Sequence, residues 1–346
     1  MTMAYTSAKK EALQWMVLIR IMNSYDVCVI GEILVDFLPG HRGPLEATKT
    51  LHVHSGGAPA NVAIGVTRMG GTAALLSLVG DDAFGQLALD RLEIDRVDCS
   101  GVKKCSGVQT GLCFITLDTQ GERSFTHRGG DPFGSLTKAA LDRDKIRTAG
   151  AIAFSCGALR SDESAHAIEV ARDLTGGLVC CDPGCSPPSW GDKAAIRRRV
   201  REAAQWCDVF KCSRDEAVRY FDCDDPMACA VLIREMGSRL AVVTDGGNGA
   251  FFAHNSGYGH VPAPPVTTVD TTGAGDAFMA GLIYRLTQHE QPLDELSAAS
   301  LSQHLRYASR AGASAVTQVG AVAGLPRIWL GETFPAGDPS EPGQPA

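Results

Sequence analysis

The segment Val269 to Phe278, "VDTTGAGDAF", combines small residues and a carboxylate at what reads as the start of a helix. Gly273, Ala274 and Gly275 let backbone N–H groups approach a ligand closely. A helix N-terminus adds unpaired donors and about half a positive charge. Together they form an anion hole suited to charge developing on a phosphoryl group. Asp276 falls in the first turn of that helix. Its carboxylate either complements the helix dipole or serves as a general base for a substrate hydroxyl, and the spacing leaves both open. An ordinary Asp is ionised at neutral pH and so available for the second role.

Four further segments carry residues capable of chemistry. "SGGAPANVA" (Ser55 to Ala63) brings Gly56 and Gly57 ahead of Asn61 at a helix start; alone it reads equally as a loop with a helix cap. Gly31, Glu32 and Asp36 stand at the end of the first apolar run, where an acid is either solvated or binds paired sugar hydroxyls. "KCSRDE" (Lys211 to Glu216) fits a capping box, with Ser213 as N-cap and Glu216 three residues on. "VTDGGNG" (Val243 to Gly249) reads as a strand followed by a tight turn. There is no G-x-x-x-x-G-K-[ST], H-E-x-x-H or G-x-S-x-G. The chain is therefore not a P-loop enzyme. His52 and His54 share one face of a presumed strand and read as surface.

The elements that must position these residues alternate. Asp26 to Val35 reads as one buried strand, followed by a helix over Asn61 to Met69, a strand over Leu75 to Val79 and a helix over Phe84 to Ile94. Strands follow at Ala151 to Ser155, Leu178 to Cys181, Asp208 to Lys211 and Leu240 to Thr244. Helical patterns separate them at Glu163 to Leu174, Lys193 to Ala204 and Met227 to Met236, and two long helices close the body near Ala274 to Thr287 and Ser297 to Val316. Repeated βα units imply a parallel sheet covered on both faces. Pro39 to His54 and Lys103 to Arg128 break the alternation with strands of their own, including Gly111 to Leu117 and Glu122 to His127. They predict a small second sheet over the carboxyl ends of the main strands, where open α/β sheets bind ligands.

The 346 residues suffice for a core without disulfides or a structural metal. A net charge of −7 offers no electrostatic footprint for nucleic acid. No apolar run reaches the roughly 18–20 residues of a membrane helix. Twelve scattered Cys, several within apolar runs (Cys28, Cys113, Cys156, Cys180), read as reduced, buried thiols of a cytoplasmic protein. Cys180, Cys181 and Cys185 make a poor zinc site. Residues 1–23 read as an extension ahead of the first strand, with Arg20 interrupting the apolar stretch Trp15 to Ile21. Residues 331–346, rich in Pro, Gly and acids, read as a disordered tail.

Two segments make the chain resemble the PfkB, or ribokinase-like, family of carbohydrate kinases over roughly Tyr25 to Arg327: "GGAPANVAIGVTRMGGTAALLSLVGDDAFG" (Gly56 to Gly85) and "VDTTGAGDAF". The resemblance implies a Rossmann-like α/β domain with a small β-sheet lid that also mediates dimerisation. It implies Asp276 as catalytic base, with Gly273 to Gly275 as the anion hole. It implies ATP with Mg²⁺, and a monovalent cation such as K⁺ near Asp270 and Thr272. Asp36, Gly56, Gly57 and Asn61 match family positions that hold the sugar. Glu216 matches an acid that organises Mg²⁺ and phosphate, with Ser213 where Asn is usual. Thr244, Gly246 and Gly249 match the strand and turn beside the nucleotide. "YASRAGASAVTQVG" (Tyr307 to Gly320) resembles the part that flanks adenine, with Ser309 in place of a common Asn.

Within the family, "GEILVDFLP", "KCSRDE" and "DPGCSPPSW" (Asp182 to Trp190) look most like fructokinases. Gly184 and Ser186 stand where that group has Asn and Arg, which removes a possible anion anchor. "FTHRGGDP" (Phe125 to Pro132) also departs from the group's pattern but retains Arg128, which either reaches substrate or is a solvated charge. The expectation is ATP-dependent phosphorylation of a primary hydroxyl of a small-molecule sugar, fructose first. Alternatives are a 2-keto-3-deoxygluconate, ribose or nucleoside kinase, and, from another class, a non-catalytic kinase-like regulator. The expected partners are the sugar and a second copy of the chain through the lid, with neither nucleic acid nor membrane.

Overall fold

A computed structural model describes residues 24–40, 43–117, 123–130, 132–184 and 192–327. The expected N-terminal extension (1–23) and tail (331–346), the turn at 118–122, Cys185 and Ser186 lie outside the described residues.

In chain order the elements begin with strands β1 (Val27–Ile30), β2 (Leu34–Pro39) and β3 (Leu51–Gly56). Helix α1 (Ala58–Arg68), strand β4 (Ala73–Gly80), helix α2 (Ala83–Ile94) and strand β5 (Val102–Cys105) follow. Next come strands β6 (Leu112–Leu117) and β7 (Arg123–Arg128), the short helix α3 (Arg143–Arg147), and strand β8 (Ala151–Phe154). The βα units continue through α4 (Asp162–Leu174), β9 (Leu178–Cys181), α5 (Lys193–Ala203), β10 (Val209–Ser213) and α6 (Arg214–Phe221). The chain then runs through α7 (Pro226–Met236), β11 (Leu240–Thr244), β12 (Ala250–His254) and β13 (Gly257–Val261). Helices α8 (Ala274–Thr287) and α9 (Ala298–Ala315) complete it.

A nine-stranded sheet runs β13-β12-β11-β10-β9-β8-β1-β4-β5, and a four-stranded sheet runs β3-β2-β6-β7. The large sheet is parallel from β5 to β11, and the pairings β11–β12 and β12–β13 are antiparallel. Successive β1 side chains alternate between its faces. Val27 and Val29 pack with α1, α2, α8 and α9, whereas Cys28 and Ile30 pack with α3 to α7. This two-sided burial explains the continuous apolar strands.

Three expectations need correction. The run Asp26 to Val35 is two strands in two sheets: β1 ends at Ile30, and Val35 and Asp36 belong to β2 of the small sheet. The turn between them seats Gly31 against Pro59, where a Cβ would lie 2.2 Å from Pro59 Cγ. Both strands are buried, so hydrophobicity alone could not show the break. The small sheet starts at Leu34, before the Pro39 boundary, and Lys103 lies in β5, which pairs in parallel with β4 of the large sheet. The β12–β13 hairpin, joined around Asn255 and Ser256, was not anticipated beyond the turn preceding it. The described cysteines are free thiols, Cys28, Cys113, Cys156 and Cys180 among the buried ones. Among the described residues no helix is long and apolar enough to cross a membrane.

Candidate active site

The carboxyl ends of the parallel strands gather the ionisable side chains. β1 leads into Glu32, β8 into Ser155, β9 into Asp182 and β11 into Thr244, while β10 carries Lys211 and leads into Glu216. Asp276 stands in the first turn of α8. The small sheet contributes Asp36 and Gly56 from its two adjacent strands β2 and β3.

Asn61, in the first turn of α1, donates its Nδ2 to Asp276 Oδ2 at 2.8 Å. The two signature segments, 215 residues apart, thus meet at one hydrogen bond. Burial pushes the Asp276 carboxyl up from its ordinary range; Asn61 and Lys211 pull it down, and Glu216 pushes it up again. Asp36 is only 7% exposed. Burial first, and the Asp276 charge second, push its carboxyl up to about 7. Gly56 is where it must be small, since a Cβ there would lie 2.2 Å from Asp36 Oδ2. Gly57 has φ +102°, and a Cβ would meet the Glu32 carbonyl oxygen at 2.6 Å. Glu32 is buried and accepts from Ser155 Oγ at 3.1 Å.

At the start of α8, where an anion hole is expected, Gly273 takes a left-handed conformation (φ +78°) as the N-cap. A Cβ on Gly275 would lie 2.8 Å from Lys211 Nζ. Lys211 is 3% exposed and donates to Asp182 Oδ2 at 2.7 Å. Burial opposes its charge, but Asp182 and Glu216 outweigh burial and hold the ammonium above the ordinary lysine range. A buried cation therefore stands beside the α8 N-terminus. The Ser213–Glu216 capping box is present in both directions, Ser213 N donating to Glu216 Oε2 at 2.8 Å and Glu216 N to Ser213 Oγ at 3.3 Å. It fixes the Glu216 carboxylate at the strand end.

Asp270 Oδ1 accepts from Thr272 N (3.0 Å) and Thr272 Oγ1 (2.7 Å), while its Oδ2 accepts from Gly320 N (2.8 Å). The turn before α8 is thereby tied to the segment after α9. Gly246 and Gly249 form the turn after β11, and Thr244 Oγ1 donates to Cys212 O at 3.5 Å.

Other sites differ from expectation. Ser309 is buried in α9, and its Oγ has no hydrogen bond among the described residues. Arg128 lines a cavity of about 470 Å³ beneath the small sheet, but its Nη1 donates to the neighbouring His127 carbonyl at 2.9 Å. His54 is half-buried rather than surface, its ring 3.6 Å from where a Gly320 Cβ would lie. Among the described residues nothing lies within 4 Å of where a Cβ would stand on Gly184, the position at which the resembled group carries Asn.

Four residues of the region went unassigned in the sequence. Lys211 and Asp182 meet beside the anion hole; His127 and Arg160 line the 470 Å³ cavity with Glu32 and Arg128. A lysine inside the apolar strand Val209–Ser213 was the available signal, because a buried cation demands a partner. Arg160 sits just beyond the carboxyl end of β8, in a turn whose direction only the fold shows.

The model of the pfkB family of carbohydrate kinases matches residues 24–328. A probable fructokinase-7 of Arabidopsis thaliana is 34% identical over 312 residues, covering 87% of this chain and 90% of its own. Among solved structures, a fructokinase from Vibrio cholerae O395 bound to fructose, ADP and calcium superposes with TM-score 0.78 at 29% identity, covering 87% of this chain and 95% of that one. An aminoimidazole riboside kinase from Salmonella enterica, complexed with aminoimidazole riboside and an ATP analogue, gives TM-score 0.76 at 26% identity, with 87% and 96% covered. With both signature segments converging on Asp276 and the match spanning nearly the whole described body, the chain belongs to the pfkB family of carbohydrate kinases, enzymes that transfer a phosphoryl group to sugars.

Proposed function

We propose that this kinase transfers the γ-phosphate of ATP to a primary hydroxyl of fructose, with Asp276 as the general base. The observation carrying this reading is the Asn61–Asp276 hydrogen bond. It engages Oδ2 and turns the carboxylate so that Oδ1 can take the hydroxyl proton. Asp36, Gly56 and Gly57 border the same space and suit sugar hydroxyls. As the sugar oxygen bonds to the γ-phosphorus, its proton passes to Asp276, the bond to the bridging oxygen breaks, and ADP leaves. The Gly273–Ala274–Gly275 backbone and the Lys211 ammonium meet the charge of the transferring group. Thr244, Gly246 and Gly249 border the nucleotide, with Ser309 behind it in α9. The carboxylates of Asp182 and Glu216 supply the hard oxygen donors that Mg²⁺ prefers, directly or through water. When bound, Mg²⁺ neutralises phosphate charge. Asp270 and Thr272 organise the turn where K⁺ would bind. The small sheet acts as a lid that keeps water from the phosphoryl group.

The apolar surface formed by Phe37, Val53 and Phe114 supports a homodimer through that sheet, and the free thiols support a cytoplasmic location. Arg160 and Arg128 at the cavity favour one second reading, an acidic acceptor such as 2-keto-3-deoxygluconate.

The test is ADP release with Mg-ATP against fructose, tagatose, ribose, 2-keto-3-deoxygluconate and nucleosides, with and without K⁺. Fructose should turn over fastest; preference for the sugar acid would transfer the assignment to the second reading. Asp276→Asn should lose about 10²–10⁴ in kcat with its melting temperature little changed. Wild-type turnover in that variant would sink the base assignment.

A further inference from the structure

We infer that Arg68 is a positioning residue for phosphoryl transfer, clamping segment 319–325 against the Asp270–Gly273 turn; this rests on the reading of that turn as the phosphoryl-stabilising element. Arg68 is the last residue of α1, on the helix whose first turn carries Asn61. Its side chain is 3% exposed. Nε and Nη2 donate to the two Asp95 oxygens at 2.7 and 3.2 Å, and Arg91 Nε donates to the same carboxylate at 2.9 Å. This pairing fixes the plane of the guanidinium. Its Nη1 is then aimed at segment 319–325, donating to Val322 O at 2.6 Å and reaching Leu325 O at 3.4 Å.

That segment lies against the catalytic turn. Gly320 N donates to Asp270 Oδ2 at 2.8 Å. Ala321 backbone atoms occupy the space beside Gly273, where a Cβ would lie 2.7 Å from Ala321 O. Ser314 Oγ donates to Gly324 O at 3.0 Å and holds the far end. The segment consists of turns rather than helix or strand, so these bonds fix its backbone while buried Val322 and Leu325 pack it on the core. A buried aliphatic side chain would satisfy packing at position 68. A buried guanidinium is costly unless its partners need that geometry. Here the partner is the Val322 carbonyl, two residues from the Gly320 N–H that donates to Asp270. The path runs from Arg68 through Val322 and Gly320 to Asp270 and Gly273, and so to the N-terminus of α8.

The experiment compares Arg68→Met, Arg68→Lys and Asp95→Asn with wild type, giving kcat and KM for sugar and ATP per mole of folded protein. Arg239→Ala serves as a stability control, because it removes ion pairs to Asp208 and Asp294 and lies at the amino end of β11, opposite the site. A displaced anion hole should lower kcat about 10- to 10²-fold in Arg68→Met, with the sugar KM changed less than about threefold. Arg239→Ala should keep wild-type kcat despite a lower melting temperature. If Arg68→Met does not fold, Arg68→Lys decides: it keeps charge but cannot grip Asp95 and Val322 together, so its kcat should also fall. A kcat within about twofold of wild type per folded chain, in whichever of these variants folds, overturns the clamp. Asp276→Asn run in parallel separates the two ideas. If it is inactive while the Arg68 variants are not, only the clamp fails; if it is fully active, the base assignment fails, and with it the catalytic reading of the α8 start on which the clamp rests.

Discussion

At the residue scale the site concentrates acids that burial makes hard to ionise. Asp36 is the clearest case, held at about 7 instead of near 4. Between those two values the folded protein keeps a proton that the unfolded chain has released. The contribution of Asp36 to stability is therefore present at low pH, falls as pH rises from about 4 to about 7, and is gone above that. Asp36→Asn removes the ionisation. Thermal unfolding should show the variant more stable than wild type by about 1–4 kcal/mol at pH 8, with the difference fading towards pH 4. The sugar KM should rise in the same variant, because an amide cannot accept from two hydroxyls as a carboxylate does. An advantage over wild type no larger at pH 8 than at pH 4 would show that Asp36 is not protonated by burial. Asp36 was legible as a candidate from its place at the end of an apolar run, and the family resemblance matched it to a sugar-holding position. Its perturbed ionisation was not, because that comes from Gly56 closing over the carboxylate and from Asp276, both remote in the chain.

At the scale of elements, the start of α8 depends on one backbone conformation. Gly273 is left-handed at φ +78°, and its missing Cβ leaves room for Ala321. Gly273→Ala should destabilise by more than the roughly 1–2 kcal/mol of the left-handed conformation alone, since a Cβ also collides with the segment. It should lower kcat as well. Gly176, whose Cβ would meet nothing and which precedes β9 at the end of the sheet away from the site, makes the comparison: Gly176→Ala should leave melting temperature and kcat close to wild type. Equal effects of the two substitutions would remove the special status of Gly273. Elements with strong local signals matched the sequence reading closely. Leu178–Cys181, Leu240–Thr244 and Ala274–Thr287 begin and end where the pattern predicts. The first strand did not, because β1 and β2 are both buried and the turn of three residues that divides them, Gly31 to Ile33, offers only a Gly-Glu pair as a break, with Glu32 itself buried.

At the scale of the whole molecule, the small sheet presents Asp36 to the large sheet and Phe37 to the other side, by the alternation of β2. Phe37 stacks on Phe114 at 4.9 Å between ring centroids and meets Phe84 edge-on, beside a Val53 that is 44% exposed. If the homodimer forms through this face, sedimentation should give a two-chain particle, and Val53→Asp should split it while kcat per folded chain is retained or reduced. A single-chain wild type would remove the proposal. What the sequence determined by itself was the chemistry and its scaffold: two glycine-rich segments, a carboxylate behind one of them, and the alternation that forces a parallel sheet between helices. Those features are local, written in side-chain size and period. Only the tertiary structure decided which residues share a site. Lys211 and Asp182, 29 residues apart, meet because β9 and β10 are neighbours in the sheet. Arg68 reaches Val322 across 254 residues because α1 and segment 319–325 lie on one face of that sheet. Such contacts follow from strand order and layer packing, which no window of sequence contains.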